Sequence, residues 1–344
     1  MFIKQYVILI VIYCLFTIIG HAQTPISQGS EGRKEACPDA LHLEKTYTPP
    51  DWKPVPAGEY EMGDHFGVGY TDELPVHAVY IDAFEMSVNE VTNKQYCTFL
   101  NSAYAQGLID VITDVVYKAG GTEIYCDTLA FDPDSRIYWD GNLFAVVAGK
   151  KKHPMLEVSW FGAVAYANWL SNEEGLTPCY DLSTWEFNIA SNGYRLPTEA
   201  EWEKAARGGE HNPYCLYSWG NDLEGSKANY WNSGDPFETG PYPWTSPVGY
   251  FNGHQSPAGS DMANEYGLYD MCGNLWEWCN DWYGGSYYSV SPFNNPEGPA
   301  TGSYRILRGG SWSLTYSVDL RCALRYGYEP DYRGNYIGFR VVRR

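Results

Sequence analysis

Asp270 and Glu277 stand seven residues apart in the stretch from Tyr266 to Trp282, with the pair Gly273-Asn274 between them. Glycine and asparagine tolerate positive φ, so this pair turns the chain sharply. Such a turn can aim the carbonyls of Gly273 and Leu275 the same way as the two carboxylates. That is an all-oxygen donor set, which a hard cation such as calcium prefers. The same spacing also suits an aromatic corner of the core. Trp276, Trp278 and Trp282 follow a strand or turn period rather than one helix face, and the acids beside them can cap backbone amides. Spacing leaves both readings open.

Soft-metal and redox chemistry is less well provided for. Of nine cysteines, Cys14 falls in an N-terminal apolar run. The other eight, Cys37, Cys97, Cys126, Cys179, Cys215, Cys272, Cys279 and Cys322, form no CxxC pair, which argues against zinc and dithiol exchange. Eight cysteines allow about a hundred complete pairings, and sequence does not choose among them. Cys272 and Cys279 read as buried or disulfide-bonded. No two histidines have helical metal spacing, and His153, just before Pro154, reads as a turn residue. Ser311, in the turn Gly309-Gly310-Ser311, is a candidate catalytic residue, and a serine there is also a good local hydrogen-bonder. No Ser-His-Asp arrangement can be assigned.

The formal net charge is −19, from 42 acidic and 23 basic residues. Such a surface repels phosphate backbones and anionic lipid and suits a protein that holds cations. Nucleic acid and membrane partners are therefore not expected. Lys4, the apolar run Tyr6 to Ile19 and the small-residue site at Gly20-His21-Ala22 read as a signal peptide over residues 1–22, which implies an exported, periplasmic or secreted protein. The run is shorter than the roughly 20 apolar residues that a membrane span needs. Residues 23–54, polar and broken by Pro25, Pro38, Pro49, Pro50 and Pro54, read as a linker or arm.

From Val55 onward short strands and three helices carry the candidate residues. Gly58 to Gly63 and His77 to Phe84 alternate as half-buried strands do. Thr92 with Gln95, Ser159, and Thr198 with Glu201 are helix starts, and Gly208 is a left-handed stop. The third helix should turn Trp202, Ala205 and Ala206 inward. Residues 106–152 form a long excursion with strand-like pieces at Val115 to Tyr117 and Leu143 to Val147, expected to decorate the core or cover a site. Gly338 to Val342 is a plausible last strand. A single α+β domain over residues 55–344 is expected.

Taken in order, several segments resemble the formylglycine-generating enzyme (sulfatase-modifying factor) family. They are Gly58-Glu59-Tyr60-Glu61-Met62-Gly63, Glu90-Val91-Thr92-Asn93, the helix from Arg195 to Gly209, the stretch containing Gly273-Asn274-Leu275-Trp276-Glu277-Trp278, and Arg308-Gly309-Gly310-Ser311-Trp312 with Gly338-Phe339-Arg340. The resemblance implies an α+β fold of low regular secondary structure with a C-type-lectin-like core, and bound calcium. Carried over by position, one calcium site falls on Asp270, Gly273, Leu275 and Glu277. Another falls on Asn229 and the Tyr230 carbonyl, but the aspartate expected near Gly240 is absent, so Asp235 or Glu238 would have to substitute.

Catalytic members of the family hold copper between two cysteines after the Gly-Gly-Ser motif. Here Leu314 stands at the first position, the second is lost in a shortened stretch, and Cys322 lacks its family partner because Ala206 stands there. Copper is thus not expected by the family mechanism. The resemblance implies a protein that engages a protein or peptide, with oxidation of a substrate cysteine to formylglycine as the family reaction. The alternative is a non-catalytic, calcium-stabilised binding or assembly module of an export or cell-surface machinery. A carbohydrate ligand rests on the lectin-like fold alone.

Overall fold

Thr92, Ser159 and Thr198 start the three helices as their sequence contexts predict. Thr92 caps α1 (Asn93–Ala105), with Gln95 returning a bond to the cap backbone, and Ser159 caps α2 (Trp160–Glu173). Thr198 and Glu201 form the reciprocal box on α3 (Glu199–Arg207), which stops at Gly208 with φ 69°. Each cap satisfies amide hydrogens that have no partner inside the helix. Thr198→Ala is therefore expected to lower stability by about 1 kcal/mol. Urea unfolding should show this as a lower midpoint with unchanged slope.

The computed structural model describes residues 34–36, 47–209, 213–314 and 316–344. The expected signal peptide, residues 1–22, lies outside them. So does most of the expected arm, but its described part is not a linker. Trp52–Val55 is an edge strand paired antiparallel with Phe84–Ser87, and Lys34–Ala36 pairs with Phe144–Val147. Prolines made the arm look irregular, yet an edge strand tolerates Pro54 because one of its sides needs no amide donor. Trp52 anchors this edge by stacking on Tyr194, with ring centroids 5.1 Å apart.

Gly58–Met62 and His77–Ile81 pair antiparallel as their alternation predicts. The 106–152 excursion folds into short antiparallel ladders over Ile109–Asp127 and Ile137–Val147. These decorate α1, where the Asn101 side chain bonds both backbone groups of Phe144. The sheet that matters most orders Arg325–Tyr328, Arg305–Arg308, Trp276–Trp282 and Ile337–Gly338 side by side. The expected last strand is split into Ile337–Gly338 and Val342–Arg343, which join different sheets.

The Trp276–Trp282 strand lies between two layers. Trp278 joins the cluster of Tyr96, Trp160, Tyr166 and Phe339 around α1 and α2, while Cys279 joins the cluster around Trp202 on α3. All nine residues of α3 are buried, including Glu199, Glu201, Glu203 and Arg207. The expected apolar face is real, but the polar face is buried too. Each glutamate has a guanidinium: Arg325 for Glu199, Arg195 for Glu201, and Arg207 with Arg308 for Glu203. Buried charges persist only when paired in this way.

Candidate functional site

Side chains alternate across a strand, so Trp276 and Glu277 face opposite ways. On the Glu277 side, the carboxylate is fully buried. Arg340 Nε and a terminal guanidinium nitrogen donate to its two oxygens at 2.7 Å each, and Trp202 Nε1 donates at 2.7 Å. Asp270, with φ 58°, accepts the Gly249 amide at 2.6 Å and lies beside Glu90. Burial pushes the Asp270 carboxyl up to about 6, and burial with the Asp270 charge pushes Glu90 well above the carboxylate range. Glu90 accepts from Asn274 Nδ2 at 2.9 Å through one oxygen, while its other oxygen is buried without a partner.

Three buried carboxylates thus gather near one guanidinium, an excess of negative charge. Gly273 has φ 100°, and a Cβ there would stand 2.5 Å from the Asn229 carbonyl oxygen, so only glycine fits the turn. With Glu277 engaged by Arg340, Asp270 and Glu90 are the carboxylates of this cluster left over for a hard cation, and among the described residues no group of three or more His, Cys, Asp or Glu side chains is placed to hold a metal ion. The sequence reading missed Glu90. Its motif was recognised, but nothing local says that it meets Asp270 across 180 residues of chain.

The other expected site is less complete. Asn229 lies against the same turn, accepting the Asn274 amide at 2.9 Å on its carbonyl, and its side-chain oxygen is buried without a partner. The Tyr230 carbonyl accepts the Ser233 amide. Asp235 accepts from Ser233 and Phe237, and Glu238 accepts the amides of Ser233 and Gly234. Both acids serve their own loop rather than Asn229.

On the Trp276 side lies a cleft of about 1090 Å³. Trp276, Tyr283, Tyr304, Tyr326, Tyr328 and Tyr336 supply its aromatic walls. Tyr328 stacks on Tyr332 at 4.1 Å, and the Tyr332 and Tyr336 hydroxyls are 2.6 Å apart. Burial, and then these hydrogen bonds, raise the Tyr336 phenol far above its ordinary value, so it is no base at neutral pH. Arg325 at the floor is saturated by Glu199 and by the carbonyls of Asp72 and Gly284. Asp72 and Asp319 leave an acidic rim, each hydrogen-bonded by a tyrosine hydroxyl, from Tyr283 and Tyr70 respectively.

Ser311 is buried, its hydroxyl 3.0 Å from that of Ser313, and it is Ser313 that reaches the cleft, beside Leu314. No cysteine or histidine stands among the described lining residues. His153 is buried away from the cleft against Thr245, and burial pushes its pKa down to about 3. Cys97 is disulfide-bonded, whereas Cys272 and Cys279 are buried free thiols.

An irregular α+β body, with an aromatic cleft on one side of a Gly-Asn-x-Trp-Glu-Trp strand and a buried oxygen cluster on the other, is the class that this geometry defines. The chain belongs to the sulfatase-modifying factor family, whose enzyme 1-like domain model matches residues 39–344. It is 33% identical over 313 residues to the formylglycine-generating enzyme of Streptomyces coelicolor, covering 84% of this chain and 87% of that protein. It is 31% identical over 315 residues to the serine/threonine-protein kinase pkn1 of Chlamydia caviae, covering 91% of this chain but only 40% of that kinase. Among solved structures, Treponema denticola variable protein 1 superposes with a TM-score of 0.58 at 26% identity, over 85% of this chain and 94% of that one.

Proposed function

We propose that the chain is an exported binding module that engages an extended segment of a protein or peptide in the aromatic cleft, and that it does not carry out the family's cysteine oxidation. One observation carries this reading: Leu314, which stands at the first of the family's two copper-binding cysteine positions, lines the cleft beside Ser313, and no cysteine stands among the described lining residues. Two thiolates are what make a soft Cu(I) site able to accept a third from substrate. A hydroxyl and an isobutyl group supply neither. Rigid tyrosine and tryptophan surfaces, by contrast, give large contact area at low entropic cost.

Calcium belongs to the same reading, held by Asp270, Glu90 and the carbonyls of Gly273 and Leu275. Bound there, it neutralises buried carboxylates and stiffens the turn beneath the central strand. A C-type-lectin-like core is the finer description of the fold that goes with it. Export agrees with the disulfide at Cys97.

The test is mass spectrometry of a sulfatase-motif cysteine peptide incubated with the protein, oxygen and copper, beside the Streptomyces coelicolor enzyme as control. The peptide is expected to remain unconverted while the control converts it. Formylglycine formed by this chain would overturn the reading.

A further inference from the structure

The thiols of Cys272 and Cys322 lie 3.9 Å apart, each only 1% exposed and neither part of the cleft. Fifty residues of sequence separate them. Cys272 sits in the turn that leads into the Trp276–Trp282 strand. Cys322 follows the 3-10 turn Ser317–Leu320, on the segment that supplies Ser313, Leu314 and Asp319 to the cleft wall. Both backbones are held independently of the sulfurs. The Gly273 amide, next to Cys272, donates to the Gly309 carbonyl at 2.8 Å, and the Cys322 amide donates to the Leu216 carbonyl at 2.8 Å. The Cys322 carbonyl also accepts from Arg308 at 2.9 Å.

The two buried thiols face each other in direct contact, and either can donate to the other.

We propose that Cys272 and Cys322 are joined as a disulfide in the oxidised protein, cross-linking the cleft wall to the turn before the central strand. The oxidant is a disulfide-bearing thiol oxidant. One of the two thiols, as its thiolate, attacks one of the oxidant's sulfurs and expels a thiolate, giving a mixed disulfide. The other thiol then loses its proton and attacks the protein sulfur of that mixed disulfide, expelling the second thiolate. The pair gives up two protons and two electrons, and the oxidant leaves as two thiols. Closing the bond brings the sulfurs nearer by about 2 Å, to the ordinary disulfide length. The family partner of Cys322 is replaced by Ala206, so Cys272 supplies a different cross-link to the same cysteine.

The full chain, with its Cys97 bridge intact, is incubated with oxidised glutathione in urea below the unfolding midpoint. It is then alkylated with iodoacetamide in denaturant without reductant, digested and mapped by mass spectrometry. The expected product links the Cys272 peptide to the Cys322 peptide and separates on reduction, while Cys126 and Cys279 carry the alkyl label. In Cys272→Ser, Cys322 should carry the label as well. Alkyl label or glutathione on both Cys272 and Cys322 in the parent chain would overturn the proposal, as would a bond from either to another cysteine. So would protection of Cys322 in the variant. None of these readouts depends on what the cleft binds.

Discussion

Glu277→Ala is expected to cost about 3–5 kcal/mol of folding stability, because it leaves the guanidinium of Arg340 buried without its carboxylate. Arg340 makes two charge-assisted bonds to Glu277 and further donates to the carbonyls of Ser87, Val88 and Tyr269, which cannot neutralise its charge. The Trp202 indole also loses its acceptor. The proposed calcium would enter as a separate contribution, since any ligand bound only by the native state raises apparent stability. Urea unfolding of parent and variant, each with excess calcium and with chelator, separates the two. The chelator should lower the parent midpoint, and the variant should remain the less stable protein even in chelator, because an ion pair requires no metal. A chelated parent that falls to the level of the variant would mean that Glu277 acts only as a metal ligand. A parent indifferent to chelator would remove structural calcium from the account.

Glu157→Gln is expected to stabilise the protein at high pH. Glu157 is 4% exposed, has φ 54°, and faces the charges of Asp132, Asp127 and Asp134, with Arg333 opposing them. Arg333 is already bonded to Asp127 at 2.7 Å. Burial first, and then the three aspartates, push the Glu157 carboxyl up to about 8 from an ordinary 4.5. A carboxyl raised in the folded state is protonated there while the unfolded chain has already ionised. Its favourable contribution is therefore complete below about pH 4.5 and is lost as pH rises to about 8. At about 1.4 kcal/mol per pKa unit, the loss is at most about 5 kcal/mol. Glutamine keeps the shape and cannot ionise. Unfolding free energies measured from pH 4 to 9 should coincide for the two proteins at the acid end, diverge as pH rises above about 4.5, and run parallel above about 8, the variant being the more stable. Curves parallel over the whole range would show that Glu157 finds its counter-charge.

Much of the fold was legible because its signals are local. A capping box closes within four residues, a glycine stop is a property of one dihedral pair, and strand alternation has period two. The helix starts at Thr92, Ser159 and Thr198 and the strands at Gly58 and His77 were read correctly for that reason. The boundary at Val55 was misplaced because a proline-broken edge strand and a linker look alike until a partner strand is known. The α3 helix looked amphipathic because residue types on its polar face do not reveal which arginines will cover them.

The candidate site divides along the same line. Asp270, Gly273, Leu275 and Glu277 belong to one short stretch, so residue order could name them together as candidates. Loss of the thiolate pair was equally legible, since it is a matter of which residues follow Ser311. Tertiary structure alone decided that Glu90 joins Asp270, that Ser313 rather than Ser311 reaches the cleft, and that Cys272 lies against Cys322. It also paired Glu277 with Arg340 across 63 residues and Glu203 with Arg308 across 105. Order along the chain specifies which turns and caps form. Whether a carboxylate becomes a metal ligand, an ion-pair partner or a neutral acid depends on which charges stand within a few ångströms and how little water remains. Coulomb energy scales inversely with both distance and dielectric constant. Neither quantity exists until the chain has folded.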